Sequence, residues 1–231
     1  FKSYFKGNSM KAFLLAAGLG KRLFPLTVAK PKCLIEVGGK SLLLWNIEKL
    51  KASGIKDLVI NLFHEGHQIE NFFGDGSDFG VRIKYVSEKE LLGTGGGVGN
   101  ALTIIGNEPF ILLSSDVWTD FNFSDLSLDS GILAHLVLVE NPEDNPEGDM
   151  FLEGNKVNTE GRGKNLTFSG LALIDPKLFE EDKLENYELW KEVLLPASQK
   201  GLVTGELFCG DLININVQED IERLDAYLAE E

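Results

Sequence analysis

Residues 14–37 read LLAAGLGKRLFPLTVAKPKCLIEV: an apolar run, then Gly18 and Gly20, then Lys21, Arg22, Lys30 and Lys32. A strand followed by a glycine turn lets backbone N–H groups approach phosphate oxygens, and clustered cations neutralise them. The two commonest loops of this kind are excluded by single residues. A dinucleotide fingerprint needs a third glycine where Leu23 stands, and a Walker A loop needs Ser or Thr where Arg22 stands. On the glycines alone, an ordinary turn with surface lysines remains open. Arg22 and the Pro31-Lys32 pair shift the balance toward a phosphate site.

Other candidates lie further along. Asp116 follows the apolar run FILLSS and so sits at the carboxyl end of a core strand, where ligands gather in parallel sheets. A capping or turn aspartate is the plainer reading. Residues 93–97, GTGGG, precede a helical pattern, and so many glycines suggest that something flat approaches the main chain. His64-Glu65-Gly66-His67 is not a His-Glu-x-x-His motif and reads as a loop and helix start rather than a zinc site. No Ser-His-Asp or Gly-x-Ser-x-Gly arrangement stands out. Cys33 reads as a small buried apolar residue, Lys30 as solvated, and Asp120 as structural.

Composition limits what these residues serve. The chain has 231 residues, 43% of them hydrophobic, and a net charge of −14. Such acidity argues against sequence-independent binding to nucleic acid or to an anionic membrane, so phosphate chemistry must be local. Cys33 and Cys209 form no motif, no apolar run nears the ~20 residues needed to span a bilayer, and no signal peptide pattern precedes Met10. A soluble, cytoplasmic protein is expected. Residues 1–9 read as a vector-derived remnant ahead of Met10.

The elements that must position these groups alternate. Strands are expected at 13–17, 58–62, 81–85 and 110–114. Helices are expected at 41–52 (ending at Gly54), 67–73, and from the glycine cluster to about Ile105. This order implies an α/β fold with a Rossmann-like mixed, mostly parallel sheet flanked by helices. Beyond residue 120 come strands at 133–139, 150–152, 156–157 and 166–174, a helix at 189–199 and a C-terminal helix from Glu219. Loop 141–149, NPEDNPEGD, is the candidate mobile flap. One domain, 10–231, is expected, with a nucleotide-binding half (10–120) and a sugar-phosphate half (121–231).

The segment LLAAGLGKRLFPLT…KPK resembles the signature of the sugar-1-phosphate nucleotidylyltransferases, roughly LAAGxGxRLxPLT followed by PK. The likeness extends through LLGTGGGV (91–98), SDVWTD (115–120) and LTFSGLALI (166–174). These are most similar to bacterial N-acetylmuramate-1-phosphate uridylyltransferases, with mannose-1-phosphate guanylyltransferases as close relatives. The resemblance implies the nucleotide-diphospho-sugar transferase fold and a Mg2+-assisted attack of a sugar 1-phosphate on the α-phosphate of a nucleoside triphosphate. UTP with N-acetylmuramate 1-phosphate is the favoured pair. A hexose or heptose guanylyltransferase is the alternative.

By the same resemblance Arg22 grips the outer phosphates, Lys32 reaches the α-phosphate, and Gly18 and Gly20 allow close approach, with Lys21 as helper or solvated lysine. Leu15, Ala17, Thr94 and Gly95 contact base and ribose. Asn141, Gly148, Asp149, Ser169 and Gly170 face the sugar phosphate, and Asp116 ligates the metal. The family's second metal aspartate lies in a W-x-D-x-G-T pattern. Here LININV (212–217) puts Asn214 in the aspartate's place and Asn216-Val217 in place of Gly-Thr. Either Asn214 is a weak ligand, or the protein is a catalytically weakened nucleotide-sugar-binding regulator. A monomer or small homo-oligomer is expected.

Overall fold

The computed structural model describes residues 10–179 and 185–230, so the expected remnant at 1–9 lies outside the described residues. Its strands are β1 (Lys11–Leu15), β2 (Glu36–Val37), β3 (Lys40–Ser41), β4 (Asp57–Leu62), β5 (Arg82–Ser87), β6 (Phe110–Ser114), β7 (Val117–Thr119), β8 (Ala134–Val139), β9 (Met150–Glu153), β10 (Lys156–Asn158), β11 (Lys164–Ile174), β12 (Val203–Leu207) and β13 (Leu212–Asn214). The helices are α1 (Leu42–Ala52), α2 (Gly66–Phe73), α3 (Gly93–Ile105), α4 (Leu195–Gln199) and α5 (Gln218–Glu230). A wide turn, Trp190–Leu194, runs into α4, so the helix expected at 189–199 is present with a loosened first half.

Nine strands form one sheet in the order β5-β4-β1-β6-β11-β8-β12-β10-β9. The first four pair in parallel, while β11 runs antiparallel to β6 and β8. Parallel pairing is thus concentrated in the first half, where strands alternate with helices. Strand β8 pairs in parallel with β12, and β9 and β10 add antiparallel pairs at the far edge.

Alternation along each strand splits the core into two layers. Ala12, Leu14, Leu58, Ile60, Ile111 and Leu113 face one side, under Leu43, Ile47 and Leu50 of α1 and Ile69 and Phe73 of α2. Phe13, Val59, Phe110 and Leu112 face the other, under Val98, Ala101 and Ile105 of α3 and Leu194 and Ala197 near the loosened turn. These runs are apolar on both faces because both faces are covered. Helix α1 shows how local signals agree with the packing. The Ser41 side chain accepts the Leu44 N–H at 3.2 Å, Gly54 follows the helix at φ 83°, and Leu43, Ile47 and Leu50 fall on one face.

A third apolar cluster clamps the functional end. Leu23, Ile35, Val37, Leu42, Trp118, Ile213, Ile215 and Leu224 pack together. The chain after the glycine turn, the β7–β13 ribbon and α5 are therefore held as one unit beside the carboxyl ends of β1 and β6.

Candidate active site

Register fixes the centre of the site. Leu15 of β1 lies opposite Ser114 of β6, so residues 16–20 and 115–116 leave the sheet side by side. The Ser115 hydroxyl and N–H both donate to the Leu15 carbonyl, at 2.6 and 3.2 Å, which locks the two exits together. The glycine turn is shaped from beneath. Gly20 has φ 58°, and a Cβ there would stand 3.0 Å from Thr27 Cγ2 and 3.1 Å from Lys32 Cβ. Thr27 is fully buried, and its hydroxyl donates to the Gly20 carbonyl at 2.8 Å. A side chain at position 20 would therefore meet both strain and contact. Gly18, by contrast, has nothing within 4 Å of the Cβ position.

These exits enclose a cleft of about 210 Å³ lined by Gly18, Gly20, Lys21, Arg22, Lys32, Asp116 and Asn216. Lys32 enters it from a short turn, Lys32–Leu34, whose Cys33 is buried against the core. Burial pushes the Cys33 thiol up to about 12, with the Asp116 carboxylate adding to the rise, so it remains a protonated, inert thiol. The Lys32 ammonium donates to Asp116 Oδ2 at 2.6 Å, with the two side chains only 12% and 29% exposed. Arg22 donates to Asn216 Oδ1 at 2.6 Å and stands 3.5 Å from Asp144 Oδ2. Lys30 instead meets Glu36 at 3.4 Å on the surface.

Asp116 and the Asn216 amide oxygen are hard oxygen donors on one cleft, and the latter lies 3.5 Å from the Lys32 ammonium. Among the described residues no group of three or more His, Cys, Asp or Glu is arranged to hold a metal. Such a sparse donor set fits a divalent ion that takes most of its ligands from phosphates and water, as magnesium does.

Asn216 is the asparagine that lines the cleft. Antiparallel pairing puts Asn214 opposite Val117, and the Ile215 N–H donates to the Asp116 carbonyl at 2.9 Å. Asn214 is exposed and outside the lining, whereas Asn216, two residues on, is buried at the cleft wall. Asp220 in the first turn of α5 accepts the Asn216 and Val217 N–H groups at 2.7 and 2.9 Å and holds the turn there. The W-x-D-x-G-T pattern has glycine at this position, so the Asn216 side chain is an addition to the cleft. Asp120 accepts the Asp211 N–H at 2.8 Å and joins the β7–β13 ribbon, and His64 is within 3.0 Å of the Thr27 carbonyl.

The glycine run at 93–97 is not an open loop. It forms the start of α3, which is covered by the segment before the loosened turn. A Cβ on Gly95 would overlap the Tyr187 ring, and one on Gly96 would overlap the Glu185 carbonyl. Gly95 N–H donates to the Tyr187 carbonyl at 3.0 Å, and Thr94 Oγ1 accepts the Leu189 N–H at 2.9 Å. The flat group against this backbone is a tyrosine of the same chain. Thr94, Gly95, Leu15 and Ala17 do not line the cleft.

A buried polar chain lies between Leu15 and Gly97. The Ala16 N–H donates to Asn61 Oδ1 at 2.6 Å, Asn61 Nδ2 donates to Glu88 Oε1 at 2.7 Å, and the Leu92 N–H donates to Glu88 Oε2 at 3.1 Å. Burial raises the Glu88 carboxyl above its ordinary value, and the two hydrogen bonds oppose that rise. Asn61 lies within β4 and Glu88 just after β5, and no local signal points to the chain they form.

The sugar-side candidates form a separate group that the structure braces. Asn141 donates to Asn165 Oδ1 at 2.7 Å and accepts from the Thr167 hydroxyl at 2.9 Å. Gly148 has φ 63°, and any Cβ there would overlap Asn165. The Phe168 N–H donates to Asp149 Oδ2 at 2.8 Å, so the expected flap is tied to β11 at both ends. Ser169 is buried and donates to the Val137 carbonyl at 2.7 Å. Gly170, at φ 82°, lies in the bulge between Phe168 and Leu171, where a Cβ would come 2.6 Å from Ser114 Oγ. That bulge carries the second half up to the end of β6, beside Asp116. A larger recess of about 270 Å³, lined by Leu133, Phe179, Ala197 and their neighbours, contains none of these candidates.

Known proteins are similar to this chain in sequence and fold. The nucleotidyl transferase family model matches residues 11–131, from β1 through the Asp116 turn. The N-acetylmuramate alpha-1-phosphate uridylyltransferase of Neisseria meningitidis serogroup B is 41% identical over 209 residues, covering 87% of this chain and 90% of that protein. A mannose-1-phosphate guanyltransferase of Neurospora crassa is 29% identical over 207 residues, and the match spans 54% of its length. In fold, the chain superposes on HddC from Yersinia pseudotuberculosis, solved with GMP-PN, at a TM-score of 0.76 and 21% identity, covering 94% of this chain and 99% of that one. Among the described residues no helix is long and apolar enough to cross a membrane. With the glycine turn, the cations and Asp116 assembled at one sheet end and the match running through all of them, the chain belongs to the nucleotidyl transferase family, as a sugar-1-phosphate nucleotidyltransferase.

Proposed function

We propose that the chain transfers a uridylyl group from UTP to N-acetylmuramate 1-phosphate, releasing pyrophosphate, with Mg2+ as the assisting ion. The observation that carries the phosphate chemistry is the convergence of Lys21, Arg22 and Lys32 with two glycines on one cleft of an otherwise acidic protein. Support for this substrate pair is the 41% identity to the meningococcal uridylyltransferase across 90% of its length.

A phosphate oxygen of the sugar 1-phosphate forms a new bond to the α-phosphorus. The bond to the bridging oxygen breaks, and its electron pair leaves with pyrophosphate. No covalent enzyme intermediate is required. Both reactants are anions, so the protein's part is neutralisation and alignment. Arg22 offers a planar fork to the outer phosphates. Gly18 leaves room for the phosphate chain to approach the backbone, and Gly20, packed over Thr27 and Lys32, shapes the turn. Lys32 supplies positive charge for the α-phosphate oxygens as charge builds on them during attack.

Asp116, with Asn216 beside it, would hold the metal, which when bound would offset the charge of the phosphates. Asp116 now spends its carboxylate on Lys32. The residue that would hold the metal is therefore the one that positions the ammonium. Asn141 and Asp149, presented on the braced loop, and Gly170 beside Ser114 form the side from which the sugar phosphate approaches.

Guanylyl transfer to mannose 1-phosphate is the second reading, favoured by the similarity to the Neurospora enzyme. Pyrophosphate release across a panel of nucleoside triphosphates and sugar 1-phosphates separates the two. The uridylyl reading expects the highest kcat/KM for UTP with N-acetylmuramate 1-phosphate. A preference for GTP with mannose 1-phosphate replaces it with the second. Nucleotide binding without turnover of any pair sinks both in favour of a non-catalytic nucleotide-sugar-binding protein.

A further inference from the structure

We propose that loop 141–149 is a built-in competitor for the phosphate cleft. Asp144 occupies, against Arg22 and Asn216, the place of an outer nucleotide phosphate, and it is displaced when the nucleotide enters. This rests on the reading of Arg22 as a phosphate ligand.

The three residues close a triangle over the cleft mouth. Arg22 donates to Asn216 Oδ1 at 2.6 Å, Asn216 Nδ2 donates to Asp144 Oδ2 at 3.3 Å, and the same Asp144 oxygen stands 3.5 Å from Arg22 Nη1. Arg22 and Asn216 belong to opposite ends of the chain and line the cleft, while Asp144 arrives from the sugar-side loop. A carboxylate oxygen in a guanidinium's field, also bonded by an amide, uses the same donors that a phosphate oxygen would use.

The loop presents Asp144 from a braced turn. Asn145 N–H donates to the Pro142 carbonyl at 3.0 Å, and the Gly148 N–H donates to the Asn145 carbonyl at 3.1 Å. The Asn145 side chain holds Asp149 Oδ1 at 3.0 Å and Thr167 Oγ1 at 3.1 Å. The frame can therefore stay in place while the Asp144 side chain turns away.

Exposure decides how strong the effect is. The Arg22 and Asp144 side chains are 63% and 54% exposed, so solvent screens the pair and its worth is that of a surface ion pair. That suits a competitor, since a triphosphate brings several charges and outcompetes a single carboxylate.

Calorimetry tests this, using whichever of UTP and GTP the wild-type protein turns over, at low salt with EDTA so that no metal takes part. Wild type, Asp144→Asn, Arg22→Ala and the double variant are compared, each checked for native far-UV circular dichroism. Arg22→Ala is expected to weaken binding. Asp144→Asn is expected to tighten it about three- to fivefold, a gain that fades with added salt. In the Arg22→Ala background the same change is expected to do nothing.

Unchanged or weaker binding in Asp144→Asn, alongside weakened binding in Arg22→Ala, overturns the competitor and leaves the phosphate site standing. A gain that persists without Arg22 overturns it too, since that is general charge repulsion. Unaltered binding in Arg22→Ala removes the phosphate reading itself, and the competitor falls with it.

Discussion

Two glycine-rich stretches of this chain look alike in composition and serve opposite ends. Gly18 and Gly20 border an open cleft, with nothing within 4 Å of a Cβ on Gly18. Gly95 and Gly96 lie under Tyr187 and Glu185, in the first turn of α3, where a Cβ would strike a ring or a carbonyl. At Gly18 the missing side chain leaves room for a ligand. At Gly95 and Gly96 the protein has already filled the room. Glycine reports that something comes close to the backbone, and only its surroundings say what.

The strongest way to test the open side is Lys32→Ala. Removing a charge aimed at the reacting phosphate is expected to lower kcat by about 10²–10³, in line with losses of single oxyanion donors. The protein should still fold, with some loss of melting temperature because Asp116 loses its partner. Steady-state kinetics beside thermal melts check it, and full activity would refute the assignment.

A pair of matched substitutions breaks or keeps the contrast itself. Gly95→Ala forces a methyl into the Tyr187 ring and is expected to cost ~1–3 kcal/mol, lowering the melting temperature by several degrees. Gly18→Ala should leave stability unchanged and weaken nucleotide binding instead. Equal melting temperatures in the two variants would show that the Tyr187 cover is loose and that the two stretches do not differ.

The smallest effect expected belongs to Glu88, which links the two stretches through Asn61. Its folded pKa is raised by burial, so folding favours the protonated form. The contribution to stability is full below the unfolded value for a glutamate and is lost as pH rises through the folded one. Glu88→Gln removes this titration, so the wild-type-minus-variant difference in unfolding free energy should decline with rising pH across the acidic range. Denaturant melts at several pH values measure it, and a flat difference would mean that Glu88 is ionised without cost.

Much of the frame was legible in the chain. Ser41 and Gly54 bracket α1 where sequence places a cap and a stop, and the run FILLS is β6. The apolar run at 13–17 predicts the first strand two residues late, since Ala16 and Ala17 continue the run but have already left the sheet. Loop 141–149 reads as a flap by its Pro, Asn and acidic content, yet its own asparagines brace it to β11. The pattern carried over position by position points to Asn214, while Asn216, which stands where that pattern has glycine, is the asparagine on the cleft wall. The β7–β13 register, set by pairing with Val117 and Asp116, decides which asparagine meets the cleft.

By itself the sequence determined the order of elements, the glycine turn with its cations, and the aspartate at the end of a core strand. These are local properties, carried by periodicity, capping residues and a contiguous motif. Tertiary structure alone decided that Lys32 is held by Asp116, that Arg22 meets Asn216 and Asp144, and that Tyr187 covers Gly95. Those partners are 84, 194, 122 and 92 residues apart in the chain. Contacts across such separations depend on strand order and register in the nine-stranded sheet and its side ribbon, and no local preference of the backbone encodes them.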